Sequence, residues 1–366
     1  MKILYDHQTF VLQKYGGISR YFYEMVKYFK NTGDEVKVAL YFSNNHYISD
    51  KKHIKHLELL PKYEFRGKQR LSLLLNKINS IYILKKQNFD IFHPTYYDPY
   101  FLKYIGDKPF VLTVYDMIHE KLQDNFSSKD KTTEYKKLLC EKATKIIAIS
   151  ESTKNDLIEI FGIDDSKIEV VYLGNSLIAS NENIKALQLP QKYILFVGSR
   201  GVYKNFNTFI RGVTGVLNSD KDLSVVCVGG GLFNAKEIEL FDTLKINNQV
   251  FQYTLDDDQL FSFYKSAELF VFPSLYEGFG IPVLEAFACD CPLVCSETSS
   301  LPEIAENGAE YFNPSNEISI CKAIQNVLDS TERKEVLRKN GRERLKSFSW
   351  EKTSIETKKI YESILK

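Results

Sequence analysis

The sequence predicts an α/β protein made of two Rossmann-like domains, each a parallel sheet covered by helices. Three observations carry that expectation. The chain has 366 residues, more than one ordinary core takes. Short apolar runs alternate with longer helical patterns, as β-α-β units require. The alternation stops over a polar stretch, Gly174 to Gln191, and then restarts.

In the first half, apolar runs predict strands at Lys2–Tyr5, Glu35–Tyr41, Ile91–His93, Phe110–Tyr115, Lys145–Ile149 and Ile168–Val171. Helical spacing falls between them at Ser19–Asn31, Thr132–Ala143 and Ser150–Phe161, the last opened by Ser150 as N-cap. Asn175, Ser180, Asn181, Asn183 and Pro190 mark the interdomain connection. Beyond it come strand Tyr193–Val197, helix Asn205–Leu217, strand Leu223–Val228 and the triplet Gly229–Gly231. Strand Val250–Tyr253, helix Asp257–Ser266, strand Leu269–Phe272, helix Pro282–Ala288 and strand Pro292–Cys295 follow. The expected domains are 1–173 and 192–347, with 174–191 as linker. A final helix in 348–366, apolar at Trp350, Ile355, Ile360, Tyr361 and Ile364, is expected to cross back to the first domain.

Composition, 44% hydrophobic and 26% charged, is that of a soluble globular protein. Neither an 18-residue apolar run nor a secretory leader is visible, and the expected location is cytoplasmic. The six cysteines lie mostly in apolar contexts without CxxC spacing, which predicts buried thiols rather than disulfides or a zinc site. Net charge is +1, but residues 51–86 carry ten Lys/Arg against two Asp/Glu beside apolar helical spacing. That segment, Lys51–Lys86, could rest on an anionic membrane at the inner face of the cell. The plainer alternative is a solvated helix with an ordinary core face. Nucleic acid is not an expected partner, since no recognised binding module is present and charge is near neutral.

Residues 270–288 read FVFPSLYEGFGIPVLEAFA. An apolar strand leads in, Pro282 opens a helix, and Glu277 and Glu285 stand eight positions apart. The backbone N–H groups of Gly278, Phe279, Gly280 and Ile281 then sit at a helix N-terminus, which attracts phosphate. Two carboxylates can hold sugar hydroxyls as acceptors. After strand Tyr193–Val197 come Ser199, Arg200 and Lys204, and fixed cations there would stabilise a leaving diphosphate most in the transition state. Gly16 and Gly17 precede a helix and let backbone approach a phosphate. Taken alone, a simple turn before a capped helix explains them better.

PSLYEGFGIPVLEA closely resembles the E-x7-E segment of retaining glycosyltransferases of family 4, which have the GT-B fold. YGGISRYFYEM (15–25), TVYDMIHE (113–120), YILFVGSRGVYKNF (193–206) and FSWEKT (348–353) match the family in the same order. The resemblance implies two Rossmann-like domains facing across a cleft and sugar transfer from a nucleoside-diphosphate sugar. It places Arg200 and Lys204 on the diphosphate, Glu285 on the ribose hydroxyls and Glu277 beside the transferred sugar. Retention could run through a covalent intermediate or same-face attack. Tyr253 and Thr254 are expected against the base. Many family members carry His-Asp after the TVYD strand, but here Tyr115 takes the His position. Asp116 and His119 could each assist the acceptor, or be structural, with Asp116 capping the next turn.

Asp256–Asp258 offers a D-x-D metal run, but its place before a helix predicts capping. No metal or cofactor is expected. YGGISRYFYEM with TVYDMIHE looks like bacterial enzymes building O-antigen, capsule or related polysaccharides on a glycan or lipid-linked acceptor. The expected donor is GDP-mannose first and a UDP-sugar second. The alternatives are a nucleotide-sugar 2-epimerase of the same architecture and a catalytically silent sugar-binding subunit.

Overall fold

A computed structural model describes residues 1–63, 65–177, 189–255 and 257–366. The chain divides into one unit of Met1–Leu173 with Ser349–Lys366 and a second of Gly174–Phe348. Most of the expected linker, 178–188, and Asp256 of the acidic run lie outside the described residues.

In the first unit, strands β1 (Lys2–Tyr5), β2 (Glu35–Val38), β3 (Ile91–His93), β4 (Val111–Val114), β5 (Lys145–Ala148) and β6 (Ile168–Val170) form two parallel ladders. The orders are β2-β1-β3 and β4-β5-β6. A bridge from Phe92 to Phe110 joins them, with Phe92 N–H donating to Pro109 O at 3.1 Å. Strands β3 and β4 are buried throughout, as unbroken apolar runs inside a parallel sheet should be. Strand β2 is shorter than expected. After Ala39 N–H reaches Tyr5 O (2.8 Å), Leu40 N–H turns back onto Val38 O (2.8 Å) and ends the ladder.

Helices α1 (Gln8–Leu12), α2 (Gly17–Asn31), α3 (Lys68–Lys85), α4 (Ile118–Lys121), α5 (Thr132–Lys142) and α6 (Glu151–Phe161) connect these strands. Ser150 caps α6 by accepting from Thr153 N–H at 3.0 Å. Helix α3 corrects the reading of an ordinary core face. Its buried positions are Lys68, Ser72, Asn76, Ser80 and Leu84, four of them polar.

The second unit carries one parallel sheet of β7 (Lys192–Val197), β8 (Leu223–Val228), β9 (Val250–Tyr253), β10 (Leu269–Phe272), β11 (Leu293–Ser296) and β12 (Ala309–Phe312). Its order is β12-β11-β10-β7-β8-β9. The chain starts in the middle at β7, runs out to β9, then returns to the other side of β7 as β10. Connections after β7 and β10 leave in opposite directions, which opens a crevice at the carboxyl ends of those two strands.

Helices α7 (Phe206–Ser219), α8 (Ala235–Leu244), α9 (Asp257–Ser266), α10 (Ile281–Ala288), α11 (Leu301–Ala305), α12 (Glu317–Leu328) and α13 (Thr331–Leu345) cover the sheet. Phe209, Ile210 and Val213 of α7 share the core with Ile320, Ile324 and Val327 of α12. Gly212 permits that approach, since a Cβ there would lie 2.9 Å from Ile320 Cβ.

The last helix, α14 (Trp350–Leu365), belongs to the first unit. Thr353 Oγ1 donates to Tyr172 O (2.7 Å), and Lys358 Nζ meets Asp34 Oδ2 (2.7 Å). Tyr361, fully buried, places its hydroxyl 3.1 Å from Tyr5 Oη and 2.5 Å from His93 Nδ1.

All six cysteines are free, and five are buried. Burial pushes the thiols of Cys140 and Cys289 up to about 12, which keeps them protonated and unreactive at neutral pH.

Candidate functional site

The E-x7-E segment falls at the β7/β10 switch point. Leu275 N–H donates to Tyr203 O at 2.8 Å, tying the loop after β10 to the loop after β7. That tie brings Lys204 to Glu277: Nζ stands 2.6 Å from Oε1, with the two side chains 15% and 12% exposed. The rings of Tyr203 and Phe272 lie 5.2 and 5.3 Å from the ammonium. A charge-assisted bond in such shelter is short and strong.

Glu277 is also held by its backbone. Its N–H donates to Ser299 Oγ and its carbonyl accepts from Ser300 Oγ, both at 2.9 Å. Ser299 has φ +52°, the left-handed region, so its loop spends strain to present that hydroxyl. Glu303, in SSLPEI after β11, accepts at its backbone carbonyl from Arg344 Nη2 at 2.8 Å. The side chain of Ser274, fully buried at the end of β10, has no hydrogen-bond partner among the described residues. Ser274, Ser299 and Ser300 escaped sequence reasoning because serines in loops carry no spacing signal.

Gly280 N-caps α10 at φ +96°, with Ile281 and Pro282 opening the helix. A Cβ at Gly280 would sit 2.8 Å from Leu301 Cδ2 in the core. Gly280→Ala is therefore expected to cost about 1–3 kcal/mol. Urea denaturation with a probe in the second unit checks this, and an unchanged midpoint would remove the strain argument. Phe279 is buried edge-to-face on Phe348 at 5.9 Å, which anchors the turn between Gly278 and Gly280. Glu285, one turn into α10, accepts from the Tyr264 hydroxyl at 3.0 Å. Tyr264 is fully buried and thus fixes the carboxylate from behind.

Arg200, the other expected diphosphate cation, is held by a carboxylate and a loop of carbonyls. Nε donates to Glu237 Oε1 at 2.6 Å and Nη1 to Gly229 O at 2.9 Å. Nη2 donates to Gly231 O (3.0 Å) and Leu232 O (2.9 Å). Its side chain is only 4% exposed and stacks 4.8 Å from the Phe233 ring. Arg200 thus organises the triglycine loop after β8. Gly229–Gly231 all have positive φ, which lets three successive carbonyls turn toward one guanidinium. Glu237 completes the arrangement by accepting from Asn234 N–H at 2.7 Å in a capping box. The Asn234-to-Glu237 spacing was the available signal for this residue.

Ser199 is exposed beside Arg200, and Thr254 is exposed after β9. Tyr253 O accepts from Gly229 N–H at 3.2 Å, which ties the end of β9 to the triglycine loop.

In the first unit, Gly16 and Gly17 begin α2. A Cβ on Gly16 would fall 2.3 Å from Gln13 Oε1. That oxygen accepts from Ser19 N–H at 3.2 Å and caps the helix. Asp116 Oδ1 accepts from Ile118 N–H at 3.1 Å, the capping role left open by the sequence. Lys136, fully buried, donates to Asp116 O (2.9 Å) and Glu120 Oε2 (2.8 Å) and so fixes this turn. His119 stacks on Phe126 at 3.9 Å, with Nε2 3.5 Å from Asp130.

Residues 15–176 match the family described as Glycosyltransferase Family 4, and residues 179–344 match Glycosyl transferases group 1. The chain is similar to the O-antigen chain mannosyltransferase RfbU of Salmonella typhimurium, 29% identical over 217 residues, 59% of this chain and 60% of that protein. It is 25% identical over 375 residues to O-antigen chain mannosyltransferase B of Escherichia coli, covering 94% and 95% of the two chains. Among solved structures, a glycosyltransferase from Rickettsia africae superposes with a TM-score of 0.73 at 20% identity, over 100% of this chain and 98% of that one. Anabaena Alr3699/HepE in complex with UDP-glucose gives 0.76 at 16% identity, over 99% and 100%. These likenesses show the GT-B fold. With one half matching family 4 and the other group 1, the chain belongs to the family 4 glycosyltransferases.

Proposed function

We propose that this chain is a retaining hexosyltransferase that moves a sugar from a nucleoside-diphosphate sugar to a glycan or lipid-linked acceptor in surface-polysaccharide synthesis. The observation that carries the reading is the Lys204–Glu277 pair at the switch point, in the loop that leads into α10, the helix that carries Glu285. Lys204 is the cation assigned to the leaving diphosphate, where charge grows as the glycosidic bond breaks. Glu277 is assigned to the transferred sugar and Glu285 to the ribose. Arg200 is assigned an indirect part, shaping the Gly229–Leu232 loop beside the phosphates. Asp116 and His119 are assigned to the acceptor side. With Lys204 as the counter-charge the proposal contains no metal step, and transfer should survive chelation by EDTA.

GDP-mannose is the first donor proposed, supported by the mannosyltransferase relatives. A UDP-sugar is second, supported by the UDP-glucose held by the Anabaena neighbour. A thermal-shift panel of GDP, UDP, ADP and dTDP, then their sugars, tests this. A nucleotide at 100 times its Kd should stabilise the protein by about 2.7 kcal/mol. A shift with UDP and none with GDP overturns the mannose assignment. Nucleotide release from the matching donor should require acceptor, and conversion of donor without acceptor would instead indicate an isomerase.

A further inference from the structure

Helix α3 is built inside out. Its inward polar residues are satisfied by the chain after β2. Asn76 Oδ1 accepts from Tyr41 N–H (2.6 Å) and Phe42 N–H (3.0 Å), while Nδ2 donates to Phe42 O (2.8 Å). Ser80 Oγ donates to Ala39 O at 3.1 Å and lies 2.8 Å from His7 Nδ1. The outward face carries Leu71, Leu74, Ile78 and Tyr82, exposed by 39%, 55%, 56% and 60%. Their spacing of three, four and four draws one stripe along the solvent side. Leu60, Tyr63 and Phe65, just before the helix, are exposed as well.

A surface helix ordinarily shows the reverse pattern, and a continuous exposed apolar stripe marks a face that something covers. Cations frame it. Lys62, Arg66 and Arg70 precede the stripe and Lys85 and Lys86 follow it, all exposed. The helix has 18 residues, about 27 Å. Among the described residues no helix is long and apolar enough to cross a membrane.

We propose that α3 lies flat on an anionic lipid bilayer, its Leu71–Tyr82 stripe at the acyl boundary and its flanking cations on the headgroups. A second copy of this chain is a poorer occupant, because pairing two such faces sets like charges together. The inference does not depend on the donor sugar or on transfer itself.

Co-sedimentation of the full chain with vesicles tests it. Vesicles of phosphatidylglycerol and phosphatidylethanolamine should bind the protein, and pure phosphatidylcholine should bind it at least tenfold less. High salt should weaken binding, and each cation removed from Lys62, Arg66, Arg70, Lys85 and Lys86 should lower partitioning about fivefold. Leu74→Glu with Ile78→Glu should abolish binding and leave the thermal melt unchanged, as both positions are exposed. Equal partitioning to both vesicle types, or binding unaffected by the double variant, overturns the proposal. So does a dimer in sedimentation velocity that the double variant breaks while vesicles bind neither protein.

Discussion

Glu277→Gln is expected to reduce sugar transfer by at least ~10³-fold while leaving nucleoside-diphosphate affinity essentially unchanged. The amide keeps the size of the carboxylate and can still accept from Lys204, whose ammonium stands 2.6 Å away. The loop stays in place because Ser299 and Ser300 hold the backbone of residue 277 and not its side chain. Only the negative charge is removed, and on the proposed reading that charge serves the sugar. Lys204→Ala should behave differently. It removes the cation that the proposal assigns to the diphosphate and leaves Glu277 sheltered without its partner, so nucleotide affinity and transfer should fall together. Calorimetric titration with the best nucleotide, run beside a transfer assay, separates the cases. Loss of nucleotide binding in Glu277→Gln would displace Glu277 from the sugar, and retained transfer would remove it from the chemistry.

The sequence and the structure agree where apolar residues run unbroken. Strands such as Val111–Val114 and Leu269–Phe272 are buried from end to end, so composition alone marks them. Helix α3 was read with an ordinary apolar core face, and the structure differs for the opposite reason. Its buried positions are mostly polar, with Ser72, Asn76 and Ser80 inward and Leu71, Leu74, Ile78 and Tyr82 exposed, so hydrophobic periodicity assigns the wrong side. No helix was expected between β11 and the final helix, yet Asn316 and Ser330 accept from the first-turn N–H groups of α12 and α13. Those caps were readable from local chemistry.

At the site, Glu277, Lys204, Glu285 and Gly280 were legible because each sits in one short string. What sequence could not supply was pairing at a distance. Glu237 is 37 positions from the Arg200 it binds, and Tyr264 is 21 positions from Glu285. Arg200 therefore read as a lone cation, whereas the structure shows its guanidinium bonded to a carboxylate and to carbonyls of the triglycine loop. A guanidinium can serve as scaffold as readily as ligand, and only its partners decide which.

Lowering the pH below about 6.5 should destabilise the first unit through His93. This ring ends β3 and is fully buried. Its Nδ1 lies 2.5 Å from the Tyr361 hydroxyl and its Nε2 2.9 Å from Thr113 Oγ1. Tyr5 and Tyr21 extend the chain of hydroxyls at 3.1 and 3.3 Å. No carboxylate stands among these partners, and burial pushes the ring down from 6.5 to about 3. Folded protein then keeps His93 neutral over a range in which the unfolded chain protonates it. The unfolded state binds the extra proton between those values, so stability is complete above 6.5 and falls as pH drops toward 3. The slope approaches ~1.4 kcal/mol per pH unit, with a total of up to about 5 kcal/mol. His93→Gln should cost about 1–3 kcal/mol at pH 7 through its broken bonds, yet unfold with a shallower pH dependence. The chain's one tryptophan, Trp350, lies in α14, 6.3 Å from Tyr21, and its fluorescence reports this unit. Urea titrations of both proteins at pH 7, 6 and 5 cancel the contributions of other groups, including the lowered His7. Parallel pH slopes in the two proteins would mean that His93 is not the titrating group.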